Sequence, residues 1–131
     1  MHIPIALRQE ILTHLDACLP QEGCGLLGGK EDRCERFLAI PNELHSPNGF
    51  RMDAQAQLQA FLQMEDLGLD LLAFFHSHPR GPQVPSATDV AEFAYPGVVS
   101  LICVPDNKNW IVRGFDIRSD QVMEISLIWE K

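Results

Sequence analysis

Two histidines lie one residue apart in the segment HSHPRGPQVPSATD, which directly follows the apolar run LLAFF. Side chains two positions apart on a strand project to the same side, so His76 and His78 can direct an imidazole nitrogen at one point. Histidine is the commonest metal ligand, and a catalytic zinc uses three protein ligands with a fourth position for water. Asp89, at the end of the segment, is the obvious third ligand. One interpretation is therefore a zinc site.

The same residues also fit a purely structural interpretation. Ser86 to Asp89 reads as a helix start, in which the serine caps backbone N–H groups and the aspartate favours the positive end of the helix dipole. Two histidines at this spacing are weak evidence for metal when taken alone. The two interpretations are compatible, because a helix can orient an aspartate whose carboxylate also ligates a metal.

The complete pattern is more specific: H-x-H, seven residues, then S-x-x-D, met by His76, His78, Ser86 and Asp89. It resembles the signature of the JAMM metalloproteases, the catalytic MPN domains, and the flanking HSHP and PS letters match as well. That family also places a glutamate upstream, and Glu22 in the segment PQEGCGLLGG occupies the similar position. The resemblance covers nearly the whole chain and identifies it as similar to the small prokaryotic members.

The resemblance implies a fold, a cofactor and residue roles. The fold would be a cytidine-deaminase-like α/β/α sandwich, with one zinc ion held by His76, His78 and Asp89 and water as its fourth ligand. Glu22 would act as general acid and base, moving a proton from the water to the leaving amine. Ser86 would polarise the scissile carbonyl.

The resemblance also implies a substrate class. Family members hydrolyse peptide or isopeptide bonds after the Gly-Gly tail of ubiquitin-like proteins, and the small prokaryotic members process sulfur-carrier proteins of that fold. The competing interpretation is a non-catalytic MPN scaffold that binds protein partners, although such modules usually lack one or more ligands. The alternative for Glu22 is a solvated loop carboxylate, and the alternative for Ser86 is a helix cap only. Zinc nucleobase deaminases need H-x-E and P-C-x-x-C, and the sequence contains neither.

The spacing of apolar residues predicts the elements that position these side chains. Together they form one mixed sheet with helices in a single α/β domain over residues 1–131. The predicted elements are a helix over PIALRQEILTHLDACL, a hairpin around KEDR, a helix from Asp53 to about Leu67, a buried strand at LLAFF, a helix over SATDVAEFAY, a buried strand at VVSLICV, and two final strands, NWIVRGFDI and VMEISLIW. The first helix should bury Leu7, Ile11, Leu15 and Cys18, and the second Leu58, Phe61, Leu62 and Leu67.

Composition and net charge limit the classes of partner that the protein is expected to bind. The chain has 131 residues, of which 46% are hydrophobic, and a formal net charge of −8. The negative electrostatic field that results from this charge repels phosphate backbones and anionic lipids. Neither nucleic acid nor a membrane is therefore an expected partner. No signal core or membrane span is apparent, and a cytoplasmic location is expected. The four cysteines are expected to be buried free thiols, and the sequence leaves the oligomeric state open.

Overall fold

A computed structural model describes all residues, 1–131. Eight strands join one mixed sheet in the order β7-β6-β5-β4-β2-β3-β1-β8. The strands are β1 (His2–Pro4), β2 (Cys24–Lys30), β3 (Arg33–Ile40), β4 (Asp70–Ser77), β5 (Val99–Asp106), β6 (Asn109–Arg118), β7 (Gln121–Ile125) and β8 (Ile128–Glu130). The helices are α1 (Ile5–Cys18), α2 (Ala54–Asp66) and α3 (Ala87–Glu92).

The centre of the sheet is formed by β2, β4 and β5. Strand β4 pairs antiparallel with β2 and parallel with β5, so His76 lies between Cys24 and Ile102. Successive residues of β4 point to opposite faces, which sends Phe75 to one core and Phe74 to another. The end of β4 is therefore held on both sides where its first histidine emerges.

Helix α1 covers one face of the sheet. Its buried residues are Leu7, Ile11, Leu12 and Leu15. They pack with strand side chains such as Phe75 in the largest cluster of the protein, 13 buried residues. Three of the four positions predicted to face this core are buried, whereas Cys18 is half-buried at the end of the helix.

Helices α2 and α3 cover the opposite face. Asp53 caps α2 by accepting a hydrogen bond from the backbone N–H of Ala56. The predicted inward face of this helix is wrong for its leucines, because the helix buries Ala60 and Met64 and leaves Leu58 and Leu62 about half exposed. The prediction holds for Phe61, which packs against the core cluster on this face. Met64 lies so close over Gly28 that a Cβ there would meet its sulfur at 3.0 Å. The missing side chain on β2 thus makes room for Met64.

Three elements of the structure differ from the sequence-based prediction. The third helix stops at Glu92 instead of reaching Tyr95. The segment VMEISLIW is two strands, because β7 ends at Ile125 and β8 crosses to the far edge of the sheet. There β8 pairs in parallel with the unpredicted strand β1, and Ile128 N–H donates to the Met1 carbonyl at 2.9 Å.

The predicted fold class is confirmed, since helices flank both faces of one mixed sheet in an α/β arrangement. The cysteines are free, as expected, and Cys24, Cys34 and Cys103 are buried. None of the three helices is both long and apolar enough to cross a bilayer.

Candidate metal centre and active site

The two histidines at the end of β4 point at one another. The strand ends at Ser77, but the His78 N–H still donates to the Cys103 carbonyl at 2.9 Å, which continues the pairing with β5. Both imidazoles therefore emerge on one face of the sheet, and their Nε2 atoms lie 3.0 Å apart. Both residues are buried. The alternation expected for a strand has produced the convergence predicted from the sequence.

Asp89 reaches the same point from the first turn of α3. Its Oδ2 lies 3.1 Å from the Nε2 of His76 and 3.1 Å from the Nε2 of His78. A capping box fixes it there: Asp89 N–H donates to Ser86 Oγ at 3.0 Å, and Ser86 N–H donates to Asp89 Oδ2 at 2.8 Å. The helix start and the metal-ligand geometry thus coexist in the same two residues.

The chemistry of these three donor atoms fits zinc. His78 Nδ1 donates to the Pro82 carbonyl at 2.8 Å, so in the neutral imidazole Nε2 carries the lone pair that a metal needs. His76 Nε2 and Asp89 Oδ2 complete a triangle with edges of 3.0–3.1 Å. Ligands of a tetrahedral zinc at about 2.0–2.1 Å would lie about 3.3 Å apart. Three electron-rich atoms this close need a cation or a proton among them.

The electrostatics of the isolated side chains agree with that need. Burial lowers the pKa of His76, which therefore favours the neutral, ligand-competent form. Burial alone would raise the pKa of Asp89, but hydrogen bonds with His76 and His78 hold it well below its usual range. Burial opposes charge on His78 too, yet its contacts with Asp89 and the Pro82 carbonyl raise its pKa overall. These contacts favour a positive charge next to the Asp89 carboxylate.

Glu22 adds a second carboxylate to the cluster. It is buried, and a carboxylate oxygen, one His76 nitrogen and one His78 nitrogen all lie within 4.8 Å of one another. Burial raises the pKa of Glu22 to about 7, with a smaller opposing effect from His78 and a smaller raising effect from Asp89. A cation beside it would lower that pKa. Glu22 is therefore a buried carboxyl group beside both histidines whose pKa responds to the charge of its neighbours.

Glu22 precedes β2 and is held there by the strand that carries the histidines. Gly23 N–H donates to Ser77 Oγ at 2.9 Å, and Ser77 N–H donates to the Gly23 carbonyl at 2.9 Å. Ser77 points away from the histidines, as the strand alternation predicts, and is fully buried. Sequence reasoning gave it no function. Its hydroxyl fixes the residue after Glu22, which ties the glutamate to the two histidines.

Asn42 is a second residue whose role was not predicted from the sequence. It is buried, and its side-chain amide donates to the Glu22 carbonyl at 3.1 Å and to the Gly49 carbonyl at 3.0 Å. Its oxygen accepts from the N–H groups of Leu44 and Arg51, both at 3.1 Å. All four hydrogen-bonding positions of one amide are thus used to hold the loop 41–53 against the site. The only sequence signal was an asparagine in a turn-rich loop.

The loop 41–53 places an aromatic ring on the metal centre. Phe50 stacks on His76, with ring centroids 4.3 Å apart and an interplanar angle of 27°. It is one wall of a cavity of about 340 Å³ whose lining also includes His76 and Asp89. The cavity opens beside the donor triangle and provides space for part of a substrate.

The structure places the five residues singled out from the sequence near one another. Glu22, His76 and His78 come together directly, and Asp89 contacts both histidines. Ser86 contacts Asp89 as the helix cap and thereby lies at the rim of the site.

Comparison with known proteins gives a consistent result. A family model described as prokaryotic homologs of the JAB domain matches residues 4–118. A probable TtuB-protein conjugate cleaving protease from Thermus thermophilus is 40% identical over 93 residues, 70% of this chain and 62% of that protein. The chain thus spans under two thirds of that relative. A desampylase from Haloferax volcanii is 33% identical over 114 residues, covering 85% of this chain and 80% of the relative.

A solved structure agrees over the whole chain. A protein from Desulfitobacterium hafniense, determined in solution, is 34% identical with a TM-score of 0.90, and the match covers 100% of this chain and 94% of that one. The family match, the relatives and the convergence of Glu22, His76 and His78 agree with one another. The chain belongs to the family of prokaryotic homologs of the JAB domain, as a small JAMM-type member.

Proposed function

We propose that the protein is a zinc-dependent peptidase or isopeptidase that hydrolyses the amide bond after the C-terminal Gly-Gly tail of ubiquitin-like or sulfur-carrier proteins. The observation that carries the proposal is the triangle of His76 Nε2, His78 Nε2 and Asp89 Oδ2, with edges of 3.0–3.1 Å, next to a buried glutamate. The relatives described as a conjugate-cleaving protease and a desampylase support the substrate class.

His76, His78 and Asp89 would hold one zinc ion with water as its fourth ligand. When bound, the ion would supply Lewis acidity that polarises a carbonyl and makes water a better nucleophile. His78 is oriented by its Nδ1 bond to Pro82, and His76 by the stack with Phe50. These contacts preset the donor directions, so little rearrangement is needed when the metal binds.

Glu22 would be the general acid and base. Its carboxylate lies close to both histidine donors without the hydrogen bonds that fix Asp89 to them. It can therefore accept a proton from the attacking water and pass it to the leaving amine, which must depart protonated. Ser77 and Asn42 keep the Glu22 backbone in register with the metal ligands.

Ser86 would assist at the carbonyl oxygen. Its Oγ accepts the Asp89 N–H, which uses an oxygen lone pair and leaves the hydroxyl proton available. A hydroxyl donor at this rim could hydrogen-bond to the negative charge that develops on the carbonyl oxygen. The capping role and the catalytic role therefore do not compete for the same atom.

The substrate side of the proposal rests on chemistry as well as kinship. A Gly-Gly segment has no side chains, so it can pass through a narrow site and pair with an exposed strand edge. The partner would be a small ubiquitin-like or sulfur-carrier protein.

We also propose one domain over residues 1–131 and a cytoplasmic location. The four free cysteines support the location, because disulfides are rare in the cytosol.

Two measurements on one preparation test this function. Metal analysis of the purified protein should find one zinc per chain, whereas a scaffold that only binds partners should hold none. The zinc-loaded protein should then cleave sulfur carriers extended beyond Gly-Gly, with mass spectrometry locating the cut directly after the second glycine. Chelator-treated protein is the control. Zinc-loaded protein that cleaves no carrier in a broad panel would contradict the proposed activity.

A further inference from the structure

The cavity of about 340 Å³ lies to one side of the metal centre. It shares His76 and Asp89 with the donor triangle and extends over Phe74, two residues earlier on the same strand. Neither Glu22 nor His78 belongs to its wall. In the β2–β4 register Cys24 lies opposite His76 and Leu26 opposite Phe74, so the chain before Cys24, which carries Glu22, continues toward His78 and away from Phe74.

The wall of this cavity is mostly apolar and aromatic, with Phe50, Met52, Phe74, Phe93 and Tyr95 among its lining residues. Aromatic and thioether walls suit a large apolar side chain. Phe93 and Tyr95 follow α3 directly, and Tyr95 also lies 4.8 Å from Phe74 between ring centroids. A size of this order is at the lower end of the range for ligand pockets.

The other six lining residues are polar or charged: Arg51, Gln57, His76, Asp89, Glu92 and Ser100. Ser100 on β5 is 4% exposed and lies beside Phe74 in the parallel register. Its hydroxyl takes part in none of the side-chain hydrogen bonds between protein groups, and it is not among the enclosed atoms left without a partner. The hydroxyl therefore remains free to bond with whatever enters the cavity.

The direction of the substrate follows from the position of Glu22. The leaving amine receives its proton from this residue, so the amine lies on the Glu22 side and the acyl tail runs the other way. Two extended glycines span roughly 6.6 Å, at about 3.3 Å per residue, and the same estimate separates His76 from Phe74 along β4. An acyl tail that runs along β4 from His76 would place the residue before Gly-Gly above Phe74 and Ser100.

We propose that the cavity is the subsite for the side chain immediately before Gly-Gly, and that it selects a large aromatic side chain with a hydrogen-bonding tip. This inference rests on the proposed function. Phe93 and Tyr95 contact the ring, and Ser100 bonds to its polar end. Tyrosine is the best fit, phenylalanine is accepted, and alanine leaves the cavity unfilled.

The test compares three carriers that differ only in having tyrosine, phenylalanine or alanine before Gly-Gly. We expect kcat/KM to be at least about 10-fold higher for phenylalanine than for alanine, the range typical of filling an apolar pocket, and higher again for tyrosine. Ser100→Ala should remove the advantage of tyrosine over phenylalanine and keep that of phenylalanine over alanine. Leu58→Ala, on the exposed face of α2 and outside the cavity, should change neither ratio.

The outcomes separate this inference from the proposed function. Equal cleavage of all three carriers would overturn the subsite while upholding the peptidase activity. Selection only at the residue after the scissile bond would place the cavity on the wrong side of the substrate and also overturn it. If no carrier is cleaved, the proposed function fails. In that case, NMR titration with a Tyr-Gly-Gly peptide decides the subsite: shifts at Phe93, Tyr95 and Ser100 support it, and no shifts overturn it.

Discussion

The two faces of the sheet are built differently. Under α1, the 13 clustered residues are apolar or cysteine, and none has an acidic or basic side chain. Under α2 and α3 the apolar clusters contain only six and four residues. This second face also has the cavity and the buried side chains of Glu22, His76, His78 and Ser100.

One strand contributes to both faces. Phe75 and His76 are neighbours on β4, yet the first lies in the large core and the second in the metal centre. Apolar burial on the α1 side stabilises the sheet, whereas buried ionisable groups on the other side cost free energy unless they are paired. Changes on the two faces should therefore have separable effects.

The largest effect should come from the metal ligands. His76→Ala or Asp89→Ala leaves two ligands, fewer than a catalytic zinc normally uses, so zinc and turnover should both be lost. The fold should survive because the α1 core is untouched. Elemental analysis measures the zinc, an activity assay measures turnover, and circular dichroism checks the fold. Asp66→Ala, at an exposed position on α2, is the control. Stoichiometric zinc in either ligand variant would show that the assignment is wrong.

The next effect concerns stability on the α1 face. Phe75 is fully buried, so Phe75→Ala should lower the free energy of unfolding by about 3–5 kcal/mol. Leu62 on α2 is 52% exposed, and Leu62→Ala should change it by less than about 0.5 kcal/mol. Urea denaturation of both variants in the zinc-loaded state measures the difference. Similar losses would mean that the two faces share the stabilisation and that the comparison fails.

A smaller loss of stability is expected at Ser77, whose hydroxyl accepts a hydrogen bond from the residue next to Glu22. Ser77→Ala removes the acceptor for Gly23 N–H in a buried place, which should cost about 1–3 kcal/mol of stability. The variant should keep its zinc but turn over more slowly, because the residue next to Glu22 is no longer fixed. Ser126→Ala, the same chemical change at an exposed position between β7 and β8, is the matched control. Unchanged kcat in Ser77→Ala would remove Ser77 from the positioning of Glu22.

The smallest effect is a difference in thiol reactivity. Burial raises the pKa of Cys24, Cys34 and Cys103 to about 12, so at pH 8 their thiolate fraction is on the order of 10⁻⁴. Cys18 is only half-buried, although burial raises its pKa too. A thiol reagent should therefore label Cys18 first in the folded protein and all four thiols in denaturant. Labelling of Cys24 as fast as Cys18 would indicate that the site face opens readily.

The sequence predicted the part of the site that depends on local periodicity. Strand alternation was enough to bring His76 and His78 together, and the helix-start pattern placed Ser86 and Asp89. Glu22 has no local signal, and only the resemblance to a known family identified it. A side chain that reaches a site through the pairing of distant strands cannot be found from its neighbours in sequence.

The missed features have the same physical origin. Asn42 and Phe50 lie in a loop without periodicity, and their roles depend on contacts with Glu22 and His76. Strand β1 is too short for a pattern, and its pairing with β8 spans the whole chain. On α2 the larger leucines suggested the inward face, but the glycine beneath the helix favoured Met64.

The most direct test of the account is the variant Glu22→Gln, whose amide has nearly the same shape as the carboxylate but cannot take up a proton. Zinc content and turnover are measured on one preparation, beside Glu10→Gln, the same chemical change at an exposed position on α1. If Glu22 is the general acid and base, Glu22→Gln keeps its full zinc content and still binds substrate, while turnover falls by about 10²- to 10⁴-fold. Zinc content and turnover of Glu10→Gln should be unchanged. Full zinc with near-normal turnover would contradict the role of Glu22, and loss of zinc would make it a metal ligand instead.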